Sequence, residues 1–127
     1  TTSSASLSNY RQSPRKVRLI ADLVRGKTVA RALDLLATLP KRGADPMAKL
    51  IRSAASNAKD ASISDLVISK IQVNGGIIFK RSMPRARGSA SPIRKRTSLI
   101  TISLSTREST KPVRSGRSTQ RVSDSKR

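Results

Sequence analysis

Any chemistry this chain does has to be done with cations. Of its 127 residues, 27 are Lys or Arg and 7 are Asp or Glu, a formal net charge of +20. It contains neither Cys nor His. Disulfides, thiolate nucleophiles, Ser-His or Cys-His pairs and a zinc site of ordinary composition are therefore excluded. The carboxylates Asp22, Asp34, Asp60 and Asp65 stand singly on helices or turns. None completes a paired acid–base or metal-holding set, so no catalytic residue, metal, cofactor or small-molecule substrate is expected. Asp22 and Asp34 read as partners of neighbouring arginines on helix surfaces. With one Tyr, one Phe and no Trp, stacking cannot be the main binding mode. Tyr10 could stack on a base but reads more readily as sheet packing, and Phe79 as core or arm-base packing.

Phosphate recognition remains. A charge of this size repels itself, and a polyanion that neutralises it makes a compact chain easier to understand. The charge is also clustered. Lys80, Arg81, Arg85, Arg87, Arg94, Lys95 and Arg96 fall within residues 80–96 with no acid among them. Such a block repels itself and resists packing, yet it lies between two strand-like runs, which argues against a mere tail. The bland alternative is a solvated basic surface without a specific ligand. No apolar run approaches the roughly 18 residues of a transmembrane helix, and no membrane partner is expected.

The elements that position these cations are legible in outline. Ser13-Pro14 opens a helix, Ser as N-cap and Pro at the first helical position, and Gly26 stops it. Val17, Ile20, Ala21 and Val24 form its apolar stripe, widened by Leu19 and Leu23. Arg15, Arg18 and Arg25 lie on the other face, interrupted by Asp22; by itself that face reads as solvated. Thr28 starts a second helix over Val29–Thr38, with Val29, Ala32, Leu33 and Leu36 inward and Pro40 as its stop. Asp45-Pro46 repeats the cap-then-proline signature for a third helix reaching about Ala61, with Met47, Leu50, Ile51, Ala54 and Ala58 inward. Met47 reads as core filling.

Leu66–Lys80 reads as strand, with Val67, Ile71 and Val73 sharing a parity that Ser69 breaks, and Gly75-Gly76 marking a bulge or bend. Thr97–Ser105 alternates again, Ile100, Ile102 and Leu104 inward. A short strand around Ala5–Tyr10 completes the set. Thr1–Ser8 is Ser/Thr-rich like a transit-peptide remnant, but a frayed terminus leading into that strand is the preferred reading. The fold expected is α+β: three helices packed on a small three-stranded antiparallel sheet. A structureless connection of the length between Gly76 and Thr97 would be unusual. An extended two-stranded arm, projecting about 30 Å, resolves it. It would turn near Met83, Pro84, Arg85, Ala86, Arg87 and Gly88 and order against phosphate. Residues 1–105 read as one domain with the arm at about 76–97. Residues 106–127 read as a basic low-complexity tail, disordered when free.

These segments resemble a known family. SPRKVRLIADLVRG at Ser13–Gly26, followed by Lys27 and by ALDLL at Ala32–Leu36, resembles the large-subunit ribosomal protein numbered twenty-two. So do PRARG at Pro84–Gly88, IRKRTS at Ile93–Ser98 and ITISL at Ile100–Leu104. The likeness runs from about Leu7 to Ser105, in the family's order and spacing, and is closest in size to the bacterial or organellar form.

The resemblance implies a structural constituent of the large ribosomal subunit rather than an enzyme. In that family the domain sits on the subunit's outside and the arm threads inward through ribosomal RNA. Its tip lines the nascent-peptide exit tunnel, and the protein aids assembly. Carried over by position, Arg11, Arg15, Lys16, Arg18, Arg25 and Lys27 contact RNA, as do Lys80, Arg81, Arg85, Arg87, Arg94, Lys95 and Arg96 along the arm. Met83 through Gly88 form the tunnel-lining tip. Partners implied are ribosomal RNA, neighbouring ribosomal proteins and the nascent polypeptide, in a cytoplasmic or organellar ribosome. Leu99 stands where the family commonly has His, and Ser82 and Gly88–Ser91 carry fewer cations than many relatives. The alternative from another class is an architectural DNA-binding protein that places the basic arm in a minor groove.

Overall fold

The computed structural model describes residues 2–58, 63 and 65–106. Asp60 and the tail from residue 107 lie outside them. The third helix does not reach Ala61: it ends at Ser56 with Asn57 as its C-cap, where the Asn57 N–H donates to the Ser53 carbonyl at 3.1 Å and Ala58 has left the helix. The order of elements is β1 (Thr2–Tyr10), α1 (Pro14–Val24), α2 (Val29–Thr38), α3 (Ala44–Ser56), β2 (Leu66–Pro84), a 3-10 turn (Ala86–Gly88) and β3 (Ala90–Thr106). The three strands form an antiparallel sheet in the order β1-β3-β2. The α+β architecture read from the sequence is the one observed.

Apolar periodicity decides which face each element buries. Val17, Ile20, Ala21 and Val24 of α1 meet Val29, Ala32 and Leu36 of α2, and Met47, Leu50, Ile51 and Ala54 of α3, in one core. The sheet contributes Leu66, Ile68, Ile71 and Val73 from β2 and Ile100, Ile102 and Leu104 from β3. Leu19 and Leu23 do not widen the stripe as expected. They are 63% and 38% exposed, at helical positions outside the stripe of Val17, Ile20, Ala21 and Val24 that faces the core. Gly26 takes φ +72° just past α1, the left-handed stop that its position suggested. Its N–H donates to the Ile68 carbonyl at 3.1 Å, and the Ile68 N–H donates to the Lys27 carbonyl at 3.0 Å. The α1–α2 connection thereby pairs with the outer edge of β2.

Three boundaries, two of them on α3, and one strand parity differ from the sequence reading. The helix α3 starts at Ala44 with Gly43 at the N-cap, two residues before the Asp45-Pro46 signature. Asp45 and Pro46 fall in the first turn instead, where unpaired N–H groups tolerate proline and favour a carboxylate. Gly43 packs so closely that a Cβ there would stand 2.6 Å from Ile20 Cδ1. β1 begins at Thr2, its first residues paired with Ser105 and Leu104 rather than frayed. On β2, Ser69 is an extra residue. The register shifts between Ile68 and Lys70, and the Ser69 hydroxyl donates to the Ser103 carbonyl at 2.9 Å. The inward parity therefore runs Leu66, Ile68 and then Ile71, Val73, leaving Val67 only half-buried.

A second shift falls between Gly75 and Ile78, at the predicted bulge, and beyond it the hairpin leaves the core. β2 and β3 stay paired from Ile78↔Arg96 to Pro84↔Ala90. Over residues 77–96 only Ser91 is less than exposed. From Gly75 to Pro84, at roughly 3.3 Å per residue, the arm reaches about 30 Å.

Candidate RNA interface

The bulge that releases the arm is held by side chains. A Cβ on Gly76 would lie 2.5 Å from Thr97 Oγ1. The Thr97 hydroxyl, 1% exposed as a residue, donates to the Ile77 carbonyl at 2.7 Å. Ser98, also buried, donates its hydroxyl to the Gln12 carbonyl. The arm root is thus tied to the segment that leads into α1.

Beside that tie lies an open groove of about 940 Å³. One wall is Arg11, Gln12, Ser13 and Lys16 at the start of α1. The other is Phe79, Arg81, Arg94, Lys95, Arg96 and Thr97 on the arm, and Arg42 closes one end. Six cations singled out from sequence therefore meet in one place: Arg11, Lys16, Arg81, Arg94, Lys95 and Arg96. No carboxylate among the described residues lines it. Packing several unpartnered cations without acids costs Coulomb energy that a phosphate backbone would reverse. Arg42 is the member sequence reasoning missed. Its signal was the Lys41-Arg42-Gly43 loop between α2 and α3; there Tyr10 Oη donates to the Arg42 carbonyl at 3.4 Å.

The remaining candidates are elsewhere. Lys80 lines a shallower hollow with Arg81, Ser82, Ala90 and Pro92. Arg15 lies exposed on α1. Arg18 and Arg25 spend donors inside the protein. Arg18 Nε and Nη2 donate to the Val73 carbonyl at 3.2 and 3.1 Å, and Arg25 Nη2 to the Ile71 carbonyl at 3.4 Å. All three bonds fasten α1 to β2. Arg25 also pairs with Asp22 at 2.9 Å, as their spacing suggested, but both side chains are more than half exposed and the pair is worth little. The described residues give Asp34 no such pair. Lys27 is half-buried, its backbone engaged with Ile68.

At the far end the tip is folded on itself. Arg85 N–H donates to the Ser89 carbonyl at 2.8 Å, and Arg85 Nε to Ser91 Oγ at 3.1 Å. Arg87 adopts φ 56°, ψ 33°, a left-handed conformation uncommon outside glycine, followed by Gly88 at φ +71°. Met83 is 50% exposed. Met83 and Pro84 are the last paired residues of β2, opposite Ser91 and Ala90, and Arg85 through Ser89 make the solvent-facing turn, with Arg87 in its middle.

Of the two roles expected for Phe79, the core is not the one observed; the ring stands at the arm root. It is 42% exposed and outside the core, with the Arg11 guanidinium 5.5 Å from its ring centroid.

A small α+β body carrying a long cationic arm with no core of its own is the build of a ribosomal protein. The family model for ribosomal protein L22p/L17e matches residues 5–105, and the chain belongs to that family. It is similar to the "Large ribosomal subunit protein uL22" of Pelobacter propionicus, 49% identical over 106 residues that cover 81% of this chain and 96% of the relative. The protein of that name from Herpetosiphon aurantiacus is 50% identical over 101 residues, 77% of this chain and 89% of its own. The Pediococcus pentosaceus protein is 45% identical over 111 residues, 85% and 94% of the two chains. The family is structural rather than enzymatic. No helix among the described residues is long and apolar enough to cross a membrane.

Proposed function

We propose that this chain is a structural constituent of the large ribosomal subunit in the cytoplasm. It binds large-subunit ribosomal RNA through the arm and its root, supports assembly of that RNA, and lines the nascent-peptide exit tunnel with its tip. The observation that carries the RNA reading is the acid-free groove, where α1 and both arm strands aim cations at one volume. Family membership supplies the ribosomal setting. Arg and Lys there displace counterions from phosphates, and Arg can bridge two phosphate oxygens. Shape rather than base sequence sets specificity. Arg15 and Lys80 add exposed cations on either side, and Lys27 sits beside α1. Arg18 and Arg25 keep donors free of β2 that can reach RNA. Other ribosomal proteins are neighbours in the assembly, and the nascent polypeptide passes Met83 through Gly88. Membership of this family weighs against the DNA-bending reading, which the basic arm alone supports.

The tip is tested by placing a photo-crosslinker at Arg87 in ribosomes stalled during synthesis. Crosslinks to the nascent chain are expected. Crosslinks confined to ribosomal RNA would remove the tunnel-lining role while leaving RNA binding intact.

A further inference from the structure

Phe79 poses a problem that packing does not solve. A phenyl ring that is 42% exposed, outside the core, gains little from burial. Its cross-strand partner is Lys95, and its ring lies under Arg11 at 5.5 Å, within cation–π range. Ring and guanidinium face the same cationic groove. A protein partner that covered the ring would have to bury carboxylates of its own against the surrounding cations, a pairing whose desolvation cost can exceed its Coulombic gain. A nucleotide supplies both needs at once, a π face for the ring and a phosphate for the cations.

We infer that Phe79 and Arg11 form a platform for one unpaired nucleobase at the arm root. The phosphates flanking that base lie against Lys95, Arg96 and Arg42. The base must be unpaired, because bases within an A-form helix present no free face. The inference rests on the RNA-binding reading and refines it. RNA is gripped along the arm by charge and shape, and at the root additionally by stacking on the chain's one phenylalanine.

The chain lacks Trp, so Phe79→Trp in the full chain installs a single indole reporter. The probes are single-stranded decaadenylate and an abasic ribose-phosphate oligomer of equal length, with binding followed independently by the anisotropy of a dye on each. Both oligomers should bind, and only decaadenylate should quench the indole. Phe79→Ala should weaken decaadenylate binding roughly 5- to 150-fold, the range for one stacked base, and leave the abasic oligomer's affinity unchanged. Equal quenching by both oligomers, quenching by neither while both bind, or an equal loss of both affinities in Phe79→Ala would overturn the platform and leave Phe79 as arm-root packing. In all three cases RNA binding itself stands. Failure of both oligomers to bind the unaltered chain would overturn the RNA-binding reading and the platform with it.

Discussion

Two adjacent glycines at the arm root should behave very differently when a single methyl group is added. In Gly76→Ala the new Cβ meets Thr97 Oγ1 at 2.5 Å, on a residue that is 1% exposed and cannot swing into solvent. Relieving the clash means moving β3 or breaking the hydrogen bond from Thr97 to the Ile77 carbonyl. Overpacking costs about 1–3 kcal/mol and the broken bond about 0.5–1.5 kcal/mol, together about 2–4 kcal/mol. For a domain of this size that lowers Tm by roughly 10–25 °C. In Gly75→Ala the nearest atom is Pro14 Cγ at 4.0 Å, and the change should stay within about 1 kcal/mol of zero in either direction. Thermal and urea unfolding followed by circular dichroism measure both. Adding Thr97→Ala to Gly76→Ala removes the clashing atom. The double variant should therefore lose at least about 1 kcal/mol less than the sum of the single variants. Equal penalties at the two glycines, or strict additivity with Thr97→Ala, would refute the view that a sterically filled bulge sets the arm's departure.

The division of labour among the cations gives two further expectations. Arg18→Ala should destabilise the protein by about 1–2 kcal/mol, because the Val73 carbonyl is deprived of a charged donor, whereas Arg15→Ala should leave stability unchanged. Equal unfolding midpoints for the two variants would contradict a structural role for Arg18. Replacing Arg94, Lys95 and Arg96 together with Ala should weaken binding to large-subunit RNA and flatten the log–log salt dependence by about 2–3, at roughly 0.7–0.9 for each phosphate no longer neutralised. The circular dichroism spectrum should not change, since these side chains lie outside the core; loss of helical signal would count against this account.

Much of the scaffold was legible because local signals and tertiary packing agree. Ser13-Pro14 and Gly26 bracket α1, and Thr28 and Pro40 bracket α2, with apolar residues at helical spacing between them. Ile100, Ile102 and Leu104 alternate inward on β3 as expected. What stayed hidden depends on a partner distant in sequence. The N-cap of α3 falls at Gly43 rather than Asp45, at a position where Ile20 and Gln12 leave no room for a Cβ. The parity switch at Ser69 is a bulge whose stabilising acceptor is Ser103. For the interface, the arm's cations were evident from their density, but the groove was not. Arg42 and Phe79 belong to it only because the arm root folds back on the start of α1. Arg18 and Arg25 looked like surface charge until the bare carbonyls of edge strand β2 came within their reach.

The most direct test of the central claim is sedimentation of cell extract through a sucrose gradient in high salt, probing for this chain. Retention with the large subunit after the salt wash is predicted, since arm, root and domain together should neutralise more phosphates than salt can release at once. Release to the top of the gradient, or co-sedimentation with chromosomal DNA, would contradict it.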